Sequence, residues 1–344
     1  MNEKTFEYDI CLSFSGEDRE IAKTIAKGLR QTNISVFYDE YEKTNLVGKD
    51  LSEHLAKIYS SKSRFCCVII SSAYRQKKWT NNIELPAIRE RLMNGDDSYV
   101  IPVLLDDTKL TGILDTFWHV DLRRYETEHV ISLIAYKILE ERYKHNYKYK
   151  TDTWKVEGFL RVKEGVTLSE LLDLLSYYIY AEQTSEFRIS TFTPLQFFEN
   201  KQFCLTLEML SNKMEAENRS GILRFYCLPQ DQNKLENFCI LSREPIEIPL
   251  KKLEQSVKLA QHLAKKDNIK QRLEIQFLHY DGLIPFYVFQ VDNRYFFTSY
   301  RIGHKQDVYN LYYLDGMNSP QTFRTCLENI FLDLDLRTLT KIIN

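Results

Sequence analysis

Glu84 is a lone carboxylate in the run Trp79-Thr80-Asn81-Asn82-Ile83-Glu84-Leu85-Pro86, where an apolar strand pattern gives way to a helical one. Proline is tolerated in the first helical turn, where its missing N–H has no intrahelical partner. Pro86 therefore sets a helix start near Asn81 or Asn82 as N-cap and leaves Trp79 in the preceding loop. Among the side chains of this run, that carboxylate is the best placed for chemistry. The ordinary alternative is a first-turn acid complementing the helix dipole, worth about 0.3–1 kcal/mol. Glu90, a turn and a half further on, is the reserve candidate and is expected to face solvent.

Other reactive side chains are less well placed. Asp106-Asp107-Thr108 has adjacent carboxylates but no histidine or third oxygen ligand, so it reads as a turn and helix cap, and no metal site is expected. Gly16-Glu17-Asp18 is an ordinary acidic helix start. His279, beside Tyr280-Asp281, reads as a strand-end residue. Seven cysteines include no C-x-x-C pair, and Cys66 and Cys67 read as small hydrophobes in a reduced, cytoplasmic protein.

The elements that must position Glu84 follow from bulk properties and periodicity. At 344 residues and 44% hydrophobic content, the chain has material for two cores. A formal charge of −2 argues against general nucleic-acid binding. The polar start and the lack of any uncharged run of ~20 residues argue against a leader or a membrane span. Strand-like runs occur at 8–14, 34–38, 65–71, 99–105 and 118–122, with helical spacing at Ile21, Ile25, Ala26 and Leu29, at Leu51, Leu55 and Ile58, and at Val130, Ile134 and Ile138. Alternating strands and helices, with continuous apolar strands, predict a parallel sheet covered on both faces. Such sheets bind ligands beyond the carboxyl ends of their strands.

The segments at those ends, Y-D-I-C-L-S-F-S-G-E-D-R, V-F-Y-D, L-x-G-K-D-L, I-I-S-S-A-Y with K-W-T, and I-P-V-L-L-D-D-T, resemble in their order a bacterial Toll/interleukin-1 receptor (TIR) domain over roughly residues 5–143. The resemblance implies a flavodoxin-like, five-stranded sheet and cleavage of NAD with loss of nicotinamide, giving ADP-ribose or a cyclic isomer. NAD is then substrate, and no cofactor is expected. Glu84 is the implied catalytic carboxylate, with Phe14, Ser15, Tyr38, Asp39 and Trp79 about the substrate. The loop carrying Tyr41, Leu46, Gly48 and Lys49 is the implied self-association element. One departure stands: the family spaces tryptophan and glutamate as W-x-x-x-E, whereas Glu84 is five residues after Trp79.

Domain boundaries are expected at 1–146 and 155–344, because KHNYKYKTDT loses apolar periodicity and reads as a junction over 147–154. The second half alternates helix and strand again, an α/β (α+β) domain with a hairpin over Phe286–Val291 and Tyr295–Tyr300. E-F-R-I-S-T-F-T-P, H-Y-D-G-L-I-P-F-Y-V-F-Q-V-D-N-R-Y-F-F-T and S-P-Q-T-F resemble the phospholipase D-like fold of non-catalytic regulatory domains. None of the seven histidines has lysine two positions on, so the H-x-K pair of that fold's enzymes is absent. The implied role is a sensor, with Arg188, Arg224, His279 and Arg294 as polar contacts to an unidentified ligand or partner. The leading expectation is thus an NAD-consuming effector in bacterial antiphage defence, switched on by TIR self-assembly. A non-enzymatic TIR scaffold and a TIR enzyme with a STING-type cyclic-dinucleotide receptor half are the alternatives.

Overall fold

The computed structural model describes residues 6–42, 51–77, 84–94, 98–110, 119–145, 155–157, 160–181, 185–229, 231, 235–236, 238–239, 244–280, 286–299, 308–315, 321–336 and 338–343. Two units divide the chain, Met1–Arg142 and Tyr143–Asn344. The predicted junction at 147–154 lies outside the described residues.

In the first unit the order is β1 (Tyr8–Ser13), α1 (Arg19–Arg30), β2 (Val36–Phe37), α2 (Leu51–Lys57), β3 (Ser63–Ile70), α3 (Ser72–Gln76), α4 (Leu85–Met93), β4 (Val100–Leu104), β5 (Val120–Asp121) and α5 (Thr127–His145), whose residues to Arg142 belong here. The strands form one sheet, β2-β1-β3-β4-β5, and every pairing is parallel. This is the flavodoxin-like strand order. Phe65 to Ile70 are all buried, as a central strand covered on both faces requires. On α1 the buried set is Ala22, Ile25, Ala26 and Leu29, one stripe at helical spacing.

The edge strand β2 is shorter than its apolar run because two amides are diverted from the ladder. Ile34 N–H closes the end of α1 on the Leu29 carbonyl at 3.3 Å, and Ser35 N–H donates to the Asp9 carboxylate at 2.8 Å. That carboxylate also accepts from Ser35 Oγ at 2.8 Å and from the buried Arg142 guanidinium at 2.7 Å, which in turn donates to the Asn33 carbonyl at 3.1 Å. Asp9 thereby joins β1, the turn before β2 and α5.

The second unit comprises β6 (Lys155–Glu157), β7 (Leu160–Thr167), α6 (Leu168–Ala181), β8 (Glu186–Ser190), α7 (Leu195–Glu199), α8 (Lys201–Ala216), β9 (Gly221–Cys227), α9 (Glu247–Ala264), α10 (Asp267–Arg272), β10 (Leu273–Tyr280), β11 (Phe286–Val291), β12 (Arg294–Ser299), β13 (Val308–Asp315), α11 (Gln321–Leu336) and β14 (Thr338–Ile343). A nine-stranded sheet, β14-β10-β9-β8-β11-β12-β13-β7-β6, is parallel across β8, β9 and β10 and antiparallel elsewhere. One face packs Phe225 and Phe277 against Phe197 and Phe198. The other packs Tyr226, Leu278 and Val288 against Phe331 and Leu334 of α11. The β11–β12 hairpin turns at Asp292, whose φ of 53° is left-handed and tolerated by its short polar side chain. Among the described residues no helix is long and apolar enough to cross a membrane.

Removing one partner of a buried ion pair leaves the other charge desolvated, whereas exposed pairs contribute little. Asp9→Ala is therefore expected to cost about 3 kcal/mol, and Glu53→Ala, at the exposed Glu53–Lys57 pair, under about 1 kcal/mol. Urea unfolding of the full chain followed by circular dichroism measures both.

Candidate active site

The strand order reverses between β1 and β3, so the crevice beyond their carboxyl ends is where an α/β sheet of this kind receives a ligand. β1 ends at Ser13, which is fully buried. Its Oγ donates to Glu84 Oε2 at 2.6 Å and lies 2.6 Å from the hydroxyl of Tyr74 on α3. Glu84 immediately precedes α4, with helical φ −68° and ψ −53°, and is 5% exposed. Pro86 occupies the first turn of α4, as its chemistry demands. The predicted caps Asn81 and Asn82, and Trp79, lie outside the described residues.

Burial pushes the Glu84 carboxyl above its ordinary range, against the lowering effects of the Ser13 hydrogen bond and the Lys77 charge; the Asp39 charge adds to the rise. Ser13 supplies the one hydrogen bond to this carboxylate among the described residues. Glu90 is exposed on α4.

Aromatic and charged groups flank this carboxylate. Phe14, buried, packs on Tyr38 with ring centroids 5.6 Å apart. The Arg19 guanidinium lies 5.3 Å from the Phe14 ring centroid and makes a two-pronged pair with Asp39, both bonds at 2.8 Å. Lys77 Nζ donates to the Phe14 carbonyl at 3.4 Å. The structure thus gathers Phe14, Tyr38 and Asp39 around the Glu84 end of the crevice. Ser15 turns elsewhere: its Oγ accepts from Glu17 N–H at 3.5 Å and caps the turn Gly16–Asp18. Ser71 donates to Asp18 at 2.6 Å and accepts from Tyr74 N–H at 3.0 Å, tying the ends of β1 and β3 together.

Of the predicted self-association loop, Tyr41 is described; it meets Tyr38 edge-on at 5.0 Å and lies under the Arg30 guanidinium at 4.5 Å. Leu46, Gly48 and Lys49 lie outside the described residues. Asp106 accepts from Thr108 N–H and from Ser72 N–H, each at 2.8 Å, a turn and a cap for α3.

In the second unit Arg188 and Arg224 sit at one register position on β8 and β9, and both reach Glu186. Arg224 also donates to Gln276 at 3.1 Å. His279 and Arg294 fall on the opposite sheet face by strand alternation: His279 is in register with Cys227, and Arg294 lies 5.9 Å over the Tyr178 ring of α6. The four predicted contacts therefore divide two and two across the sheet. His279 is 3% exposed, its Nε2 has no hydrogen-bond partner among the described residues, and burial lowers its pKa.

Residues 10–134 match the family model of the TIR domain. Over 142 residues the chain is 36% identical to the 3' cyclic ADP-D-ribose synthase AaTIR of Aquimarina amphilecti, covering 41% of this chain and 43% of that protein. It is 32% identical over 108 residues to the 2' cyclic ADP-D-ribose synthase BtTIR of Bacteroides thetaiotaomicron, covering 31% and 36% respectively. The chain spans less than half the length of either relative. Among solved structures, the TIR domain of the Toll-related receptor TRR-2 from Hydra magnipapillata matches at 18% identity and a TM-score of 0.30, covering 38% of this chain and 96% of that one.

Within the first unit, Ser13, Tyr74, Arg19 and Lys77 are site neighbours that sequence reasoning missed. A serine directly after the apolar run Ile10–Leu12 was the available signal for Ser13. The other three come from α3, its C-terminal cap and the start of α1, and their meeting at the crevice is not revealed by spacing.

A carboxyl whose pKa is raised on folding contributes stability below its unfolded value of 4.5, and that contribution is lost as pH rises through the folded pKa. Near neutral pH the native protein therefore carries a cost that glutamine lacks. Glu84→Gln is expected to unfold at higher urea than the native chain at pH 7.5, with the gap closing as pH falls toward 4.5. Equal separation of the two urea midpoints at both pH values would contradict a Glu84 pKa raised by burial.

Proposed function

We propose that the TIR unit cleaves the bond between nicotinamide and ribose in NAD, with Glu84 as the catalytic carboxylate. As the C–N bond breaks, its electron pair leaves with nicotinamide, which departs neutral and needs no general acid. Positive charge develops on the ribose ring, and a carboxylate against that ring stabilises it while accepting hydrogen bonds from the ribose hydroxyls. Water or an internal nucleophile then captures the cation, giving ADP-ribose or a cyclic isomer, and the nucleophile's proton passes to Glu84 or to solvent. The observation carrying this reading is the placement of Glu84: buried beyond the strand ends at the β1/β3 reversal, one oxygen held by Ser13 and the other without a hydrogen bond among the described residues. Two relatives named as cyclic ADP-D-ribose synthases support it.

In this reading Phe14 and Tyr38 form an apolar wall that keeps water from the cation, and Trp79 adds to it. Asp39, neutralised by Arg19, serves as a polar contact to substrate, and Ser15 shapes the loop that carries Phe14. The segment containing Tyr41, Leu46, Gly48 and Lys49 joins neighbouring TIR units. The second unit, phospholipase D-like without H-x-K, senses an unidentified ligand or partner and shifts the population toward that assembly, as an effector of bacterial antiphage defence in the cytoplasm requires of an enzyme that consumes NAD. Arg188 and Arg224, on one sheet face, are the better placed of its four candidate contacts.

The test is direct. Purified full-length protein at high concentration, incubated with NAD, is expected to release nicotinamide, and Glu84→Ala and Glu84→Gln to lower the rate by about 10³-fold, the scale of losing a preorganised charge-stabilising group. Full activity in both variants would remove Glu84 from the mechanism. Absence of nicotinamide under crowded conditions would leave the scaffold reading.

A further inference from the structure

We propose that Ser13 and Tyr74 are positioning residues for Glu84, forming a directed relay, Tyr74 to Ser13 to Glu84, that pins Oε2 and turns the other carboxylate oxygen toward substrate. The inference rests on the NAD-cleaving reading for its consequence, although the relay itself is geometric. The direction follows from proton counting. A serine hydroxyl has one hydrogen, and the Ser13 hydrogen is committed to Glu84 Oε2. The 2.6 Å contact with Tyr74 then requires the tyrosine to donate and Ser13 to accept. Tyr74 is able to do so throughout the physiological range, because burial and the neighbouring Glu84 charge hold its phenol well above the usual value.

Each member is rigid. Tyr74 and Ser13 have no exposed surface and Glu84 has 5%. Tyr74 stands on α3, whose first turn is fixed by Ser71. Ser13 ends a strand paired on both sides. The three residues come from the end of β1, from α3 and from the start of α4, so the carboxylate is held relative to the sheet rather than by its own helix. A donor chain of this kind polarises along its length and favours the anion that burial disfavours. It also fixes the torsion of a side chain that must meet a ribose within a fraction of an ångström.

A merely structural hydroxyl pair would not move the titration of Glu84; the relay must. Full-length protein labelled with 13C-glutamate, its Glu84 resonance identified by loss in Glu84→Gln, is titrated as native chain, Ser13→Ala, Ser13→Thr and Tyr74→Phe, with nicotinamide release measured in parallel. A hydrogen bond to a charged group of ordinary strength corresponds to about one to two pH units. Ser13→Ala is expected to raise the Glu84 midpoint by that amount, to move the acid limb of the pH profile with it, and to lower kcat about tenfold or more with KM little changed. Ser13→Thr, keeping the hydroxyl, restores the native midpoint. An unshifted midpoint in Ser13→Ala overturns the relay. Should Ser13→Ala fail to fold, Tyr74→Phe decides, a smaller upward shift supporting the relay and none overturning it. A shifted midpoint with no nicotinamide from any variant supports the relay and counts against NAD cleavage instead.

Discussion

The first unit sets one carboxylate, Glu84, where there is little water to solvate its charge. Removing a charge from water costs several kcal/mol unless hydrogen bonds or counter-charges offset it. Glu84 is held by the Ser13 hydroxyl and lies within reach of the Lys77 charge, and even so burial keeps its pKa raised. The surroundings show the same constraint. Tyr59, Tyr74 and Tyr99 are buried phenols near β1, each with its pKa raised first by burial, and for Tyr59 and Tyr74 next by the charge of Glu84. They are neutral phenols packed in the core beside β1, so they add no competing anion. The carboxylate of Asp39, which raises the Glu84 pKa, is in turn paired with Arg19.

The sheet supplies the rest. A parallel sheet whose order reverses at β1/β3 splays the following loops apart, and Ser71, Asp18 and Arg19 tie the loop ends on either side of that gap. Phe14 packs against both the Arg19 guanidinium and the Tyr38 ring, so the aromatic wall and the charge clamp are one packed assembly. A site of this construction has its polar groups preorganised before substrate arrives, which is the condition under which electrostatic stabilisation is effective.

What was legible in the sequence follows from burial. β1, β3 and β4 are continuous apolar runs because both faces are covered, and they read directly. The edge strand β2 has two residues, shorter than its run, since flanking amides serve the α1 terminus and the Asp9 carboxylate instead of the ladder. In the second unit β6, β7 and β14 went unread. They lie at or next to the sheet's two edges, and Leu160–Thr167 mixes Arg, Lys, Glu and a left-handed Gly165 into what should be an alternating strand. At the site, Glu84 was visible through Pro86, whose place in the first turn is a local rule. Ser13 carried a local signal that went unread, whereas its pairing with Tyr74 carried none, because a hydrogen bond between residues 61 apart has no local signature.

The most direct measurement is a crystal structure of the full chain with a non-cleavable NAD analogue. The account predicts the nicotinamide ribose beyond the ends of β1 and β3, its hydroxyls within about 2.6–3.2 Å of the Glu84 oxygen not held by Ser13. A dinucleotide bound elsewhere, or a ribose seated in the crevice with no contact to Glu84, would contradict it.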